Sequence, residues 1–489
     1  MNMWTNDLFR LDILREEQVE AIHEAAMRIL EETGVRIADA PTLELLASQG
    51  LSAGGDDGLI VRFGRDFVME QVAKAPSSFD VRSRNPERGF TIGGNHVVAS
   101  PTGGAPLVQD LDRGRRQGTQ DDYVELIKLC HVADELHSID SGIIEFYDVP
   151  TEQRHLDMDY LTLRYTDKPY MAVGGTGPVA RDCIAMAAIA SGGRESMEAS
   201  PSTFVVVNPA SPLVWDDRML GTVQEFASAN QPVFVTPFIM AGGTSPITLA
   251  GAMAQYTAEI LACIAIIQTI RPGCPSVFGG YVTGMDMLLG QPTLGTPEMS
   301  LATLAGGQLA RHYDLPYRAG GAWTSAKVAD AQAAYESSMG LWSTLLAGTN
   351  FVLHAAGLID GSIATSYEKL VVDLEILRMQ AAMLGGFATD EASFALETVA
   401  EVGPGGMYLA SPHTLERFRD GVYRSELSST EDHARWEAEG ALDTEQRANA
   451  VWKRMLESYE DPGLDDAVDA ELQDFMARRR EEIAREEED

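Results

Sequence analysis

TFVVVNP at residues 203–209 and PVFVTPF at 232–238 each read as a buried strand. Both are short apolar runs rich in β-branched and aromatic residues, and a Pro or Asn closes them. A strand apolar along its whole length belongs in a parallel sheet covered on both faces. The same kind of segment recurs outward from this pair: VVASPTGGAPLVQD (97–110), GIIEFY (142–147), PYMAVGG (169–175), SVFGGYVTG (276–284), PYRAGG (316–321) and FVLHAAGLI (351–359). Helical runs separate them at 119–137, 179–191, 249–270, 297–312 and 329–346, several entered through Thr or Pro. Eight strands alternating with helices predict an α/β chain folded as a (β/α)8 TIM barrel, with an open doubly wound sheet as the alternative. In the first segment, the SPTGGAP centre could instead form a hairpin that closes one end.

The flanks differ from this body. Val19, Ile22, Ala26 and Ile29 recur at helical spacing before Gly34, so residues 1–95 read as an N-terminal helical and mixed cap. Residues 96–390 then form the barrel, and 391–489 an acidic helical C-terminal extension ending MARRREEIAREEED. Such alternating charge blocks suit a solvated helix face or a contact between copies, and a homo-oligomer is expected.

With 73 acidic against 37 basic residues, the net charge of -36 repels phosphate backbones and anionic lipid. Neither a nucleic-acid nor a membrane partner is expected, and a neutral or cationic ligand fits better. The start has no basic segment followed by an apolar one, and no stretch approaches the roughly 20 uninterrupted apolar residues of a membrane span, so a cytoplasmic location is expected. Cys130, Cys183, Cys263 and Cys274 form no C-x-x-C pair, which argues against a structural zinc site and a disulfide scaffold. No metal ligand set is predicted.

A barrel builds its active site at the carboxyl ends of its strands. Reading those ends gives Tyr147, Asn208, Phe238, Tyr281, Arg318, Trp323 and His354 as candidates. Aromatic faces suit a methylated ammonium through cation–π attraction. Arg318 could clamp a substrate carboxylate or close a structural salt bridge. His354 is the catalytic candidate, with a satisfied core histidine as the alternative. Gly174, Gly175, Gly279, Gly280, Gly320 and Gly321 could offer a glycine-lined rim to a bulky cofactor, or simply make tight turns.

Four segments in order, LREEQVEAIHEAAMRILEETGV (14–35), GGNHVVASPTGGAPLVQDLDRGRR (93–116), TQDDYVELIKLCHVADEL (119–136) and TSAKVADAQAAYE (324–336), resemble the trimethylamine methyltransferase family. The resemblance runs from about residue 10 to about residue 420 and implies a (β/α)8 barrel. In the archaeal trimethylamine enzymes a pyrrolysine follows the stretch similar to TSAK; here the residues are ordinary, with Val328 at the corresponding position. The resemblance therefore implies the non-pyrrolysine branch, whose members take methyl from glycine betaine, proline betaine, carnitine or γ-butyrobetaine. A quaternary nitrogen already carries the charge that makes it a leaving group. The implied acceptor is Co(I) of a separate corrinoid protein, which His354 would face; Arg318 would hold the carboxylate, and the aromatics would cage the ammonium. Direct transfer to tetrahydrofolate and a non-catalytic betaine-binding barrel are the alternatives.

Overall fold

The computed structural model describes residues 3–8 and 10–486, so residues 487–489 of the acidic tail lie outside the described residues. Eight parallel strands follow one another along the chain: β1 (His96–Ala99), β2 (Ile139–Asp140), β3 (Tyr170–Met171), β4 (Thr203–Val207), β5 (Val233–Val235), β6 (Ser276–Gly279), β7 (Tyr317–Gly320) and β8 (Phe351–Leu353). They share a curled nine-stranded sheet in the order β1, β8, β7, β6, β5, β4, β3, β2, with Trp4–Thr5 antiparallel on the outer side of β1. Toward the other edge, His137 just before β2 donates its backbone N–H to Ala99 O of β1 at 2.8 Å.

The second strand lies earlier than its sequence suggests. Residues 142–147 carry the apolar run, yet the sheet uses Ile139–Asp140, which pairs with Tyr170–Met171 of β3. Ile143, Ile144 and Phe146 are buried in the larger apolar cluster, and only isolated bridges link Ala105 to Ile144 and Gly118 to Phe146. Burial alone does not require a strand. The first expected strand divides: His96–Ala99 joins the sheet, while Leu107–Asp110 pairs antiparallel with Gly114–Gln117.

Alternate side chains of a strand point to one face, and the inward set packs as a separate apolar cluster. Phe204, Phe234 and Phe351 lie 4.9–5.3 Å apart between ring centres. The hairpin of Ser78–Val81 and Phe90–Gly93 adds Val81, Phe90 and Ile92 to this cluster. The far side of the sheet is covered by helices such as Leu249–Ile270. That helix is long and apolar enough to cross a membrane, but 89% of its apolar window is buried inside the protein.

Three outer helices end on cations, one buried and two half-buried. Lys168 Nζ donates to the carbonyls of Cys130, Ala133 and Leu136 at 2.6–2.7 Å, closing helix Gln120–Val132. Arg84 Nη2 donates to Leu163 O and Thr166 O, both at 2.8 Å, at the end of Arg154–Tyr165. Arg82 Nη2 reaches Ser191 O at 3.3 Å beyond Gly177–Ala190. Helix C-termini expose unpaired carbonyls and the negative end of the dipole, so a cation there satisfies both. Burial pushes Lys168 down to about 7, a cost that its three hydrogen bonds offset. The small cavity of about 210 Å³ beside these residues is thus explained by helix closure.

Candidate active site at the carboxyl ends of the strands

The carboxyl ends of the strands surround a cavity of about 510 Å³, within the roughly 300–1,000 Å³ usual for small-molecule sites. Asp140 enters from β2, Asn208 from just beyond β4, Phe238 from beyond β5 and Tyr281 from beyond β6. Arg318 comes from β7, Trp323 from the loop after it, and His354 from the end of β8. Gly103, in the loop after β1, completes this ring. The floor is dry and the rim wet: Arg318 is 1% exposed, whereas Gly174 and Asn208 are exposed.

One wall is a chain of rings. Trp323 meets Tyr281 edge-on at 4.6 Å and His354 at 4.5 Å, and Phe238 lies 6.1 Å from Tyr281. Gly320 makes this possible, because a Cβ there would come within 2.0 Å of both Trp323 Nε1 and Tyr281 Cε1. Arg318 lays its guanidinium over the Tyr281 ring at 4.2 Å. Its Nε and Nη1 find no hydrogen-bond partner of good geometry among the described residues. Burial lowers its proton affinity while nearby tyrosines oppose that effect, and an arginine stays charged under such conditions.

His354 is fixed by its backbone as much as by its ring. It adopts a left-handed φ of 55°, which costs a non-glycine residue on the order of 1–3 kcal/mol unless its surroundings impose it. Here its N–H donates to Pro101 O at 3.2 Å and its carbonyl accepts from Ala322 N at 2.8 Å. Gly103 N–H donates to its Nδ1 at 3.2 Å. Burial, aided by the Arg318 charge, holds its pKa well below the usual histidine range. The ring is therefore neutral, and with Nδ1 accepting, the proton sits on Nε2.

Asp140 is absent from the sequence-based site because the second strand was expected to end at Glu145 and Tyr147. Its Oδ1 accepts from Gly142 N–H at 2.7 Å. A Cβ at Gly103 would fall 1.8 Å from its Oδ2, so only glycine fits that position without moving the carboxylate. Burial pushes the Asp140 carboxyl up to about 7, against the lowering effects of the Gly142 hydrogen bond and the Arg318 charge. A sequence signal existed: Asp140 is followed by Ser141-Gly142, a turn at which a buried strand could stop.

Of the remaining candidates, Tyr147 is not among the residues lining the cavity. It is 44% exposed, with Arg154 over its ring at 5.2 Å. Gly174 lines the cavity, but Gly175, Gly279, Gly280, Gly320 and Gly321 do not. A Cβ at Gly279 would meet Arg318, at Gly280 Pro237 O, and at Gly321 Leu341, all within 3 Å. These glycines face protein atoms rather than a continuous cofactor rim. Val328 is 43% exposed and also lies outside the cavity lining.

A deep, aromatic-walled cavity at one end of a curled parallel α/β sheet, with a buried arginine at its floor, is the arrangement of an enzyme for a small charged substrate. The family model described as trimethylamine methyltransferase matches residues 1–484. The chain belongs to the trimethylamine methyltransferase family and is a methyltransferase. It is 38% identical to a glycine betaine methyltransferase of Desulfitobacterium hafniense (strain Y51), covering 98% of this chain and 99% of that one. An L-carnitine:corrinoid methyltransferase of Eubacterium limosum is 29% identical, covering 91% and 93%. The fold is similar to the crystal structure of the Methanosarcina barkeri monomethylamine methyltransferase, with a TM-score of 0.51 and 10% identity over 93% of this chain and 96% of that one.

Proposed function

We propose that the chain, built as a closed (β/α)8 barrel, demethylates glycine betaine to dimethylglycine and passes the methyl to Co(I) of a separate corrinoid protein. The observation that carries this reading is Arg318. A buried guanidinium with free donors at the floor of an aromatic cavity calls for a carboxylate, and bidentate geometry suits one. The wall of Tyr281, Trp323 and Phe238 supplies the complementary surface for a trimethylammonium head through cation–π attraction and exclusion of water. The 38% identity to a glycine betaine methyltransferase supports the same substrate, and the name of the carnitine relative supports a corrinoid acceptor.

Orientation then provides much of the catalysis. Holding both ends of the substrate aligns one N-methyl carbon for in-line displacement, and the amine leaves neutral from a site that excludes water. The residues present fit an acceptor carried by another protein. The cavity exceeds what a small amine fills, its rim at Gly174 and Asn208 is open, and His354 presents a neutral ring in its wall. When docked, the corrin cobalt supplies the nucleophile; His354 would face it. Assembly into a homo-oligomer belongs to the proposal, supported by the segment after residue 385, which leaves Phe387 90%, Leu409 73% and Val422 74% exposed.

Incubating the protein with glycine betaine and either reduced cob(I)alamin or tetrahydrofolate tests the reading. Dimethylglycine and methylcobalamin are the expected products. Methyl appearing only on tetrahydrofolate would favour direct transfer to that acceptor, and tight binding without turnover would favour a betaine-binding barrel.

A further inference from the structure

Asp140 and Arg318 are opposite charges in one cavity that do not pair with each other. Neither forms an ion pair with any described residue, although each is nearly fully buried and they are close enough to influence one another electrostatically. A buried charge without a partner is costly, and natural sites rarely keep two. Helix closure accounts for buried Lys168 and an ion pair with Asp373 for buried Lys369, but neither device accounts for Asp140 or Arg318.

We propose that Asp140 is the counter-ion of the substrate's quaternary ammonium, so that the cavity selects zwitterions by holding the cation at Asp140 and the anion at Arg318. The proposal rests on the reading that the substrate is a betaine, and it assigns a specificity-determining role to a residue that the sequence did not reveal. Geometry supports it at three points. Oδ1 is committed to Gly142 N–H, which fixes the carboxylate plane. Oδ2 lies against Gly103, itself a cavity residue, where any larger side chain would displace it. Tyr281, whose ring lies against the Arg318 guanidinium, lines the same cavity as Asp140, so the aromatic wall and both charged groups border one space.

The reaction limits what Asp140 can do. The ammonium loses its charge as the methyl departs, so an anion beside it stabilises bound substrate more than the transition state. Its contribution should therefore appear in affinity and selectivity, in KM rather than kcat. The carboxyl must also be ionised to serve. The groups facing it are Arg318, which favours the ionised form, Asp159, which opposes it, and Tyr281, Tyr123 and Cys130, which burial keeps neutral. With Asp140 raised to about 7, binding of a cationic head should strengthen as pH rises through that value and weaken below it.

Calorimetric titration of the full chain, without any corrinoid, tests this. The ligands are glycine betaine and tert-butylacetate, which keeps the shape and the carboxylate but has carbon in place of nitrogen. At about pH 8 the wild type should bind glycine betaine at least about tenfold more tightly than the carbon analogue, and at about pH 6 that ratio should shrink. In Asp140→Asn the ratio should fall at least about threefold at about pH 8 and no longer change with pH, leaving the part that cation–π attraction to the aromatic wall supplies, with tert-butylacetate affinity little changed. Equal affinity for the two ligands in wild type overturns the proposal, as does a ratio undiminished in Asp140→Asn. If the variant does not fold, a wild-type ratio that is unchanged between the two pH values overturns it. Should glycine betaine not bind, proline betaine takes its place: a pH-dependent, Asp140-dependent response there leaves this inference standing while the substrate assignment falls.

Discussion

The Arg318 guanidinium stacks 4.2 Å above the centre of the Tyr281 ring with its Nε and Nη1 unpaired among the described residues, so the ring that helps to wall the cavity also orients the cation at its floor. Arg318→Ala should lower kcat/KM for glycine betaine well over tenfold, since removing one partner of a buried hydrogen-bonded charge pair costs on the order of 2–5 kcal/mol. Arg318→Lys keeps the charge but loses the planar fork, and should recover only part of the loss. Choline shares the ammonium and lacks the carboxylate, so discrimination between the two should collapse in Arg318→Ala. Steady-state kinetics with both substrates reads this. Wild-type efficiency in a folded Arg318→Ala would make the residue structural.

His354 gives a pH-dependent prediction. Its pKa in the fold lies well below the ordinary value, so below about pH 6.5 the unfolded chain takes up a proton that the native ring refuses. That makes the unfolded state bind more protons, and stability contributed at this position is lost as pH falls through the unfolded value. His354→Asn should therefore narrow the difference in melting temperature between about pH 5.5 and about pH 7.5 relative to wild type. Asp140, raised to about 7, works in the opposite direction over part of that range, which is why the variant is compared with wild type rather than with theory. An unchanged difference would mean that His354 binds its proton as readily in the fold as in the unfolded chain.

Gly103 is expected to tolerate no side chain. In Gly103→Ala the new Cβ would lie 1.8 Å from Asp140 Oδ2, and the loop that donates to His354 Nδ1 would have to move with it. Activity should fall at least about tenfold, since a misplacement of about 1 Å can cost up to about a hundredfold, while far-ultraviolet circular dichroism stays unchanged. Wild-type turnover would show that neither the carboxylate nor the imidazole needs its present position.

Stability at the opposite end rests on the helix closures. Lys168→Met keeps the buried stem but abandons three carbonyl oxygens that the ammonium now satisfies at 2.6–2.7 Å. Each orphaned buried acceptor costs roughly 1–3 kcal/mol, so the midpoint of denaturant unfolding should drop clearly without any change in ligand affinity. A variant as stable as wild type would mean that water replaces the ammonium without loss.

The sequence exposed what repeats. Apolar runs such as TFVVVNP and PVFVTPF are strands because nothing else buries both faces of so short a segment, and the residues that end them, Asn208, Phe238 and His354, fall in the cavity lining. It misled where burial and strand formation part company. Ile143, Ile144 and Phe146 are buried without belonging to a strand in the sheet, which drew attention to Tyr147 and away from Asp140. Glycines misled for a related reason. A Gly pair marks a place where atoms approach closely, but sequence does not say whether those atoms belong to a cofactor or, as at Gly320, to Trp323 and Tyr281.

The central claim is tested most directly by mixing the purified protein with a panel of quaternary amines and reduced cob(I)alamin, and following both the demethylated amine and methylcobalamin. The account predicts stoichiometric dimethylglycine and methylcobalamin from glycine betaine, with choline far slower. Faster methyl transfer from choline or trimethylamine than from any betaine, or no demethylation of any of them, would contradict it.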